Sequence, residues 1–330
     1  HFTVLENSFR INSKTTPKDF ELNLQLCRAK LINSAFPEEA FANAKASFDS
    51  TYKALKTEMP DYFKNAVKRK ITGNNNALSL PERAIIDALT VKDLNEWLTN
   101  EFINAPLEIN IVGDLDEKKT IELVTKYFGS LPKRQPIKLF EITTPHSFEK
   151  FELVENFDTM LKKDIFFMMI PTVAFHELNE TRKLDLLGKI LKEKINKQFQ
   201  LKSQTSLSLD IEHFYNEDIN SLCYFRFAAV IPPEKTEAIK DAINSTLNEI
   251  VENGITKSDL DEIRKPFLEK ISAYSKTNTY WLNNVMRNST SDPKNLELAI
   301  IFPKYYEEIS VKQINEASNK YLDLNKKSTY

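Results

Sequence analysis

The helical segment from Pro37 to Phe102 is written a second time from Thr256 to Leu322, at an offset of 219 or 220 residues. Phe41 falls on Leu260, Ala44 on Ile263, Phe48 on Phe267, Tyr62 on Trp281 and Val67 on Met286. Thr90-Val-Lys-Asp-Leu-Asn-Glu96 falls on Ser310-Val-Lys-Gln-Ile-Asn-Glu316, identical at four of seven positions. A period this long excludes solenoids and propellers, whose units run to roughly 20–50 residues. What is duplicated is a whole domain, so any fold for this chain must be one that tandem copies can share.

The offset predicts where the copies are incomplete. Residues Thr144 to Ile219 have no counterpart in the first copy, because their partners would precede His1. The second copy stops at Tyr330, where the first has only begun the stretch Leu107-Glu-Ile-Asn-Ile-Val-Gly113. The chain therefore reads as a piece of a longer repeat protein, with an incomplete first copy over 1–134, a linker over 135–145 and a nearly complete second copy over 146–330. The linker lies in the proline-bearing stretch from Pro132 to Pro145.

Lys+Arg 45 against Asp+Glu 47, with no long like-signed run, leaves no basic surface for nucleic acid. The longest apolar runs, such as Ile165-Phe-Phe-Met-Met-Ile170, fall far short of the roughly 20 residues that span a bilayer. Five glycines, and no G-x-G-x-x-G or G-x-x-x-x-G-K-[ST], argue against phosphate binding. Cys27 and Cys223 read as buried small hydrophobes, with a metal, redox or disulfide role as the alternative.

Strands precede helices in each copy, which predicts an α+β fold: tandem homologous two-layer domains, each a mainly antiparallel sheet packed against helices. Strands are expected at Phe151, over Asp164 to Ile170, over Thr205 to Glu212, where apolar and polar residues alternate, and over Ser221 to Val230. Between them, a helix from about Asn179 to Gln200 carries Leu184, Leu187, Ile190, Leu191 and Ile195 on one stripe. Pro232-Pro233 opens a helix that Gly254 stops, Thr256 to Asp259 caps the next, and Ser310 to Gln313 has the form of a capping box. In the first copy Phe2 to Ile11 reads as the return strand, with helices opening at Pro17 and Pro37 and a strand over Leu107 to Gly113.

Ile109-Asn-Ile-Val-Gly-Asp114, a helix, and then Tyr127-Phe-Gly-Ser-Leu-Pro-Lys-Arg134 resemble the pitrilysin/insulinase family of zinc metallopeptidases. The resemblance runs from Thr16-Pro-Lys-Asp-Phe-Glu-Leu22 to Thr277-Asn-Thr-Tyr-Trp-Leu282. That family is built from tandem α+β domains, which agrees with the duplication. Its chemistry requires H-x-x-E-H on a helix, two histidines holding zinc and the glutamate activating a water. Here the histidines are His1, His146, His176 and His213, no two within five residues, so no metal is expected in this chain. His176-Glu-Leu-Asn-Glu180 reads as a polar turn leading into a helix.

The resemblance is to the family's non-catalytic half, and it implies one role with one alternative. The role is the C-terminal portion of a zinc peptidase, packing against the half that bears H-x-x-E-H and its zinc, in the same polypeptide or a partner subunit, and enclosing a peptide substrate. Pairing of that peptide to a strand edge would give affinity with little sequence preference. The alternative is a degenerate structural or peptide-binding homologue without peptidase activity. Active relatives carry an arginine and, seven residues on, a tyrosine that assist the scissile peptide; the aligned positions here are Gln200 and Leu207. Both changes remove chemistry, since glutamine has no charge for an oxyanion and leucine no hydroxyl. Tyr280-Trp281 and Tyr305-Tyr306 read as shared core packing before a peptide-binding wall, and the lysines from Lys189 to Lys202 as a solvated face. For a bacterial parent, the resemblance implies an extracytoplasmic location.

Overall fold

The computed structural model describes residues 1–322 apart from 6, 34–35, 74–77, 137–150, 158–162, 173–177, 204–208, 217–221, 291–292, 294–295 and 297–302. The chain folds as two compact units. The first comprises His1–Lys56, Leu80–Phe140 and Ser275–Ile300; the second comprises Thr57–Ser79, Glu141–Tyr274 and Ile301–Tyr330. The two segments that interrupt the simple division, Thr57–Ser79 and Ser275–Ile300, are themselves separated by the repeat offset. Most of the 135–145 stretch lies outside the described residues.

In the second unit β3 (Phe151–Phe157), β4 (Lys163–Pro171), β5 (Asp210–Tyr215) and β6 (Cys223–Ile231) form a wholly antiparallel sheet in the order β3-β4-β6-β5. The expected strand at Thr205 begins at Asp210; residues 205–208 lie outside the described residues. The helices are α7 (Leu178–Ser203), α8 (Thr236–Asn253), α9 (Lys257–Tyr274) and α10 (Val311–Tyr321). Leu184, Leu187, Ile190, Leu191 and Ile195 put the apolar stripe of α7 against Phe166, Met168, Phe225 and Phe227, and α8 and α10 close the same core. The stripe works because residues three and four apart share a helix face. The other face of β4 carries Ile165, Phe167 and Met169, and α3 (Met59–Ile71) covers it with Phe63, Val67 and Ile71. A continuous apolar run is what a strand buried on both faces requires.

The caps stand where the sequence puts them. Ser310 and Gln313 form a capping box at α10, Thr256 and Asp259 cap α9, and Gly254 ends α8 at φ 73°. Glycine tolerates that left-handed backbone at no steric cost.

The first unit contains α1 (Phe20–Ile32), α2 (Glu38–Thr57, of which only the final residue falls in the second unit), α4 (Arg83–Ala88), α5 (Val91–Asn104) and α6 (Glu117–Phe128). Thr90 and Asp93 form the capping box of α5. Helices α1 and α6 are joined at Glu21, which accepts from Lys126 at 2.8 Å and Tyr127 at 2.6 Å. Gly129 ends α6 where a Cβ would lie 2.6 Å from the Thr125 carbonyl oxygen, so only glycine fits.

Two expectations change in this unit. Phe2 to Ile11 is not one strand but a hairpin, β1 (Phe2–Val4) and β2 (Phe9–Ile11), because the Leu5 amide bonds the Ser8 carbonyl at 2.8 Å and turns the chain back. Leu107 to Gly113 is not assigned as a strand: among the described residues no neighbouring strand forms a ladder with it. Its polar side chains instead reach the 275–300 segment, Asn110 donating to the Met286 carbonyl at 3.0 Å and Glu108 accepting from the Thr290 amide at 3.0 Å.

Candidate functional site

Two places in the second unit concentrate polar chemistry, and both are built on α7. The first is buried. Gly188 lets α7 approach β5 closely, since a Cβ there would lie 3.0 Å from the His213 amide nitrogen. One turn back, Asp185 meets His213, whose Nδ1 lies 3.2 Å from Oδ1. Thr172, at the end of β4, places its hydroxyl 3.0 Å from His213 Nε2. Tyr306 donates to Asp185 Oδ2 at 2.8 Å, and Arg182 donates to the Tyr306 hydroxyl at 3.0 Å. A carboxylate facing Nδ1 favours the tautomer that donates from that nitrogen, in which Nε2 accepts from Thr172.

Charge in this network is compensated inside it. Burial works against the Arg182 cation, but Tyr306 and Asp185 outweigh it and hold its pKa above the usual range. Burial, with Asp185 alongside, pushes the Tyr306 phenol well up, so it stays a neutral donor. Each of these buried groups has a partner, as low-dielectric surroundings demand. The hydroxyl–imidazole–carboxylate order resembles a nucleophile relay, but Thr172, Arg182 and His213 are all buried. The chemistry available is orientation: the network joins the end of β4, β5, α7 and the short helix carrying Tyr306.

The second place is the C-terminal end of α7. Gln200 stands exposed on the last turn; Leu207 lies outside the described residues. Alongside runs a cleft of about 340 Å³ between α7, α8 and α9, lined by Glu193, Lys194, Lys197, Asp259 and Glu262 among others. Its lysines are engaged, Lys194 with Asp259 at 3.0 Å and Lys197 with Glu193 at 3.2 Å and Glu262 at 3.1 Å. Further along, Lys189 lies over the Phe267 ring and Lys192 pairs with Asp210. These lysines are therefore largely paired and not simply solvated.

Among the described residues no group of three or more His, Cys, Asp or Glu side chains could hold a metal ion. His146 and His176 lie outside the described residues, and Glu180 pairs with Lys183 at 2.6 Å. Among the described residues neither cysteine is in a disulfide; Cys223 is buried in β6 and Cys27 half-buried. Tyr280 and Tyr306 are core residues, whereas Trp281 is half exposed with its indole N–H on the Ser275 carbonyl. No helix of the described residues is long and apolar enough to cross a membrane.

Sequence reasoning missed the buried network, although part of its signal was present. His213 occupies an inward position of the alternation Leu209-Ile211-His213, and Asp185 interrupts the apolar run Leu184-Leu186-Leu187. A polar residue on an apolar face asks for a partner; Tyr306, more than a hundred residues on, could not be identified as that partner from the sequence.

The chloroplastic stromal processing peptidase of Oryza sativa subsp. indica is 20% identical over 322 residues, a match covering 84% of this chain and 26% of that protein. The crystal structure of the periplasmic protease PqqL from Escherichia coli superposes with a TM-score of 0.72 at 14% identity, covering 92% of this chain and 34% of PqqL. A peptidase M16 inactive domain from Pseudomonas fluorescens superposes with a TM-score of 0.69 at 15% identity, covering 94% of this chain and 74% of that one. The chain thus spans about a quarter of its curated relatives and about a third of PqqL. The family model described as the peptidase M16 inactive domain matches residues 88–267, more than half of the sequence. The chain belongs to this family, the inactive domain of M16 peptidases, homologous to the non-catalytic halves of zinc proteases.

Proposed function

We propose that this chain is the non-catalytic portion of a longer pitrilysin-like zinc peptidase, in which it packs against the half bearing H-x-x-E-H and helps to enclose a peptide substrate. The observation that carries the reading is the match to an inactive peptidase domain by a chain spanning 26% of the stromal processing peptidase it resembles. Zinc belongs to the other half, where its Lewis acidity activates the attacking water. The contribution here is shape: a sheet buttressed on both faces, with edge strands β3 and β5, and tandem copies over 1–134 and 146–330 joined by 135–145. The positions aligned with the family's arginine and tyrosine, Gln200 and Leu207, bring no charge and no hydroxyl, so any transition-state stabilisation comes from the catalytic half. The Gln200 side chain also favours a second reading, a scaffold or peptide-binding homologue that has left catalysis.

Mass and metal content of the native polypeptide test the two. A polypeptide more than twice the 38.2 kDa of this chain, holding zinc and cleaving peptides until chelated, supports the peptidase reading. A native polypeptide or complex of that size without zinc or cleavage supports the scaffold, and zinc-dependent cleavage by residues 1–330 alone overturns both.

A further inference from the structure

All the exposed large hydrophobic side chains among the described residues, except Leu201, Val230 and Tyr274, belong to the first unit. An apolar excess concentrated in one unit marks a surface built to be covered. The second unit shows what covers the equivalent surface. Helices α1 and α8 each follow a three-residue 3-10 turn opened by proline, Pro17–Asp19 and Pro233–Lys235. In that register Leu22 and Leu26 of α1 stand at the positions of Ala238 and Ala242 of α8, and by the capping boxes Trp97 of α5 stands at the position of Ala317 of α10. Ala242 and Ala317 are core residues and Ala238 packs against them, and α7 packs on both α8 and α10. Leu22 and Leu26 are each 55% exposed and Trp97 50% exposed.

We infer that the face of α1 and α5 carrying Leu22, Leu26 and Trp97 receives an amphipathic helix equivalent to α7, supplied by the parent polypeptide ahead of His1. The inference rests on the reading that this chain is part of a longer polypeptide. Chain order points to that source, because α7 precedes α8, and so does length, because the curated relatives are about four times as long as the matched part. The occupant carries leucines and isoleucines at i, i+3, i+7 and i+11, the spacing of Leu184, Leu187, Leu191 and Ile195, which join the core that α8 and α10 close.

The test uses the full-length polypeptide with a photo-crosslinking phenylalanine analogue at Leu22 or Trp97. Cross-links from both to one helical segment N-terminal to His1, together with a Leu26→Asp variant that melts several degrees lower in the full polypeptide and unchanged in residues 1–330, are the expected result. Cross-links to a second molecule, to residues within 1–330 or to nothing overturn the docking while leaving the parent reading intact. A native polypeptide of this segment's own mass overturns both.

Discussion

Asp185 is the residue on which the second unit's buried polar network converges. Tyr306, Arg182 and His213 all point to its two oxygens, and two of the three donors come from outside its helix. Asp185→Ala would remove the acceptor that Tyr306 and His213 share and the carboxylate that faces the buried Arg182 cation. Removing one partner of a buried charged pair costs about 3–5 kcal/mol, so urea unfolding should show a loss of that order with an unchanged slope. A loss below about 1 kcal/mol would mean that water satisfies these groups and that the network does not orient β5 on α7. Gln200, by contrast, is exposed near the end of its helix, and the paired lysines beside it were not legible in the sequence.

Helix ends were the most legible elements, because a cap is a contact between residues three apart and needs nothing distant. Thr256 and Ser310 each take the position their spacing predicts. The cap at α9 also carries a pH dependence. Burial raises the pKa of Asp259, but the Thr256 amide and Lys194 outweigh it, and the carboxyl titrates below its ordinary range. A depressed folded pKa contributes stability that is present above the unfolded value, about 3.9, and lost as pH falls through the folded one. Asp259→Asn should therefore cost about 1 kcal/mol near pH 7, with the deficit closing below pH ~4; guanidinium unfolding of both proteins at pH 7 and pH 3 checks it. An equal deficit at both would assign the effect to packing. The strand elements were less legible: Leu107 to Gly113 alternates as a strand should, yet a strand also needs a neighbour, which sequence alternation does not reveal.

For the whole molecule, the repeat suggests a cut near the linker, whereas the sheet of the second unit takes its outer cover from residues 57–79. Residues 146–330 made alone would expose Ile165, Phe167 and Met169. The expected outcome is a protein that binds a hydrophobic dye and self-associates on a sizing column, and a Phe63→Ala change in the intact chain should cost about 3–5 kcal/mol by the same loss of cover. A dye-silent, cooperatively unfolding monomer of 146–330 would show that this face needs no helix. The α+β class, the family resemblance and the caps follow from the sequence because periodicity, motif spacing and capping are local. Three features arise instead from the tertiary structure: the crossing of Thr57–Ser79 into the second unit, the meeting of Tyr306 with Asp185 and the bare face of α1. Each depends on which distant apolar or polar surface is available to be paired, and burial, unlike a hydrogen-bonded turn, carries no fixed spacing along the chain.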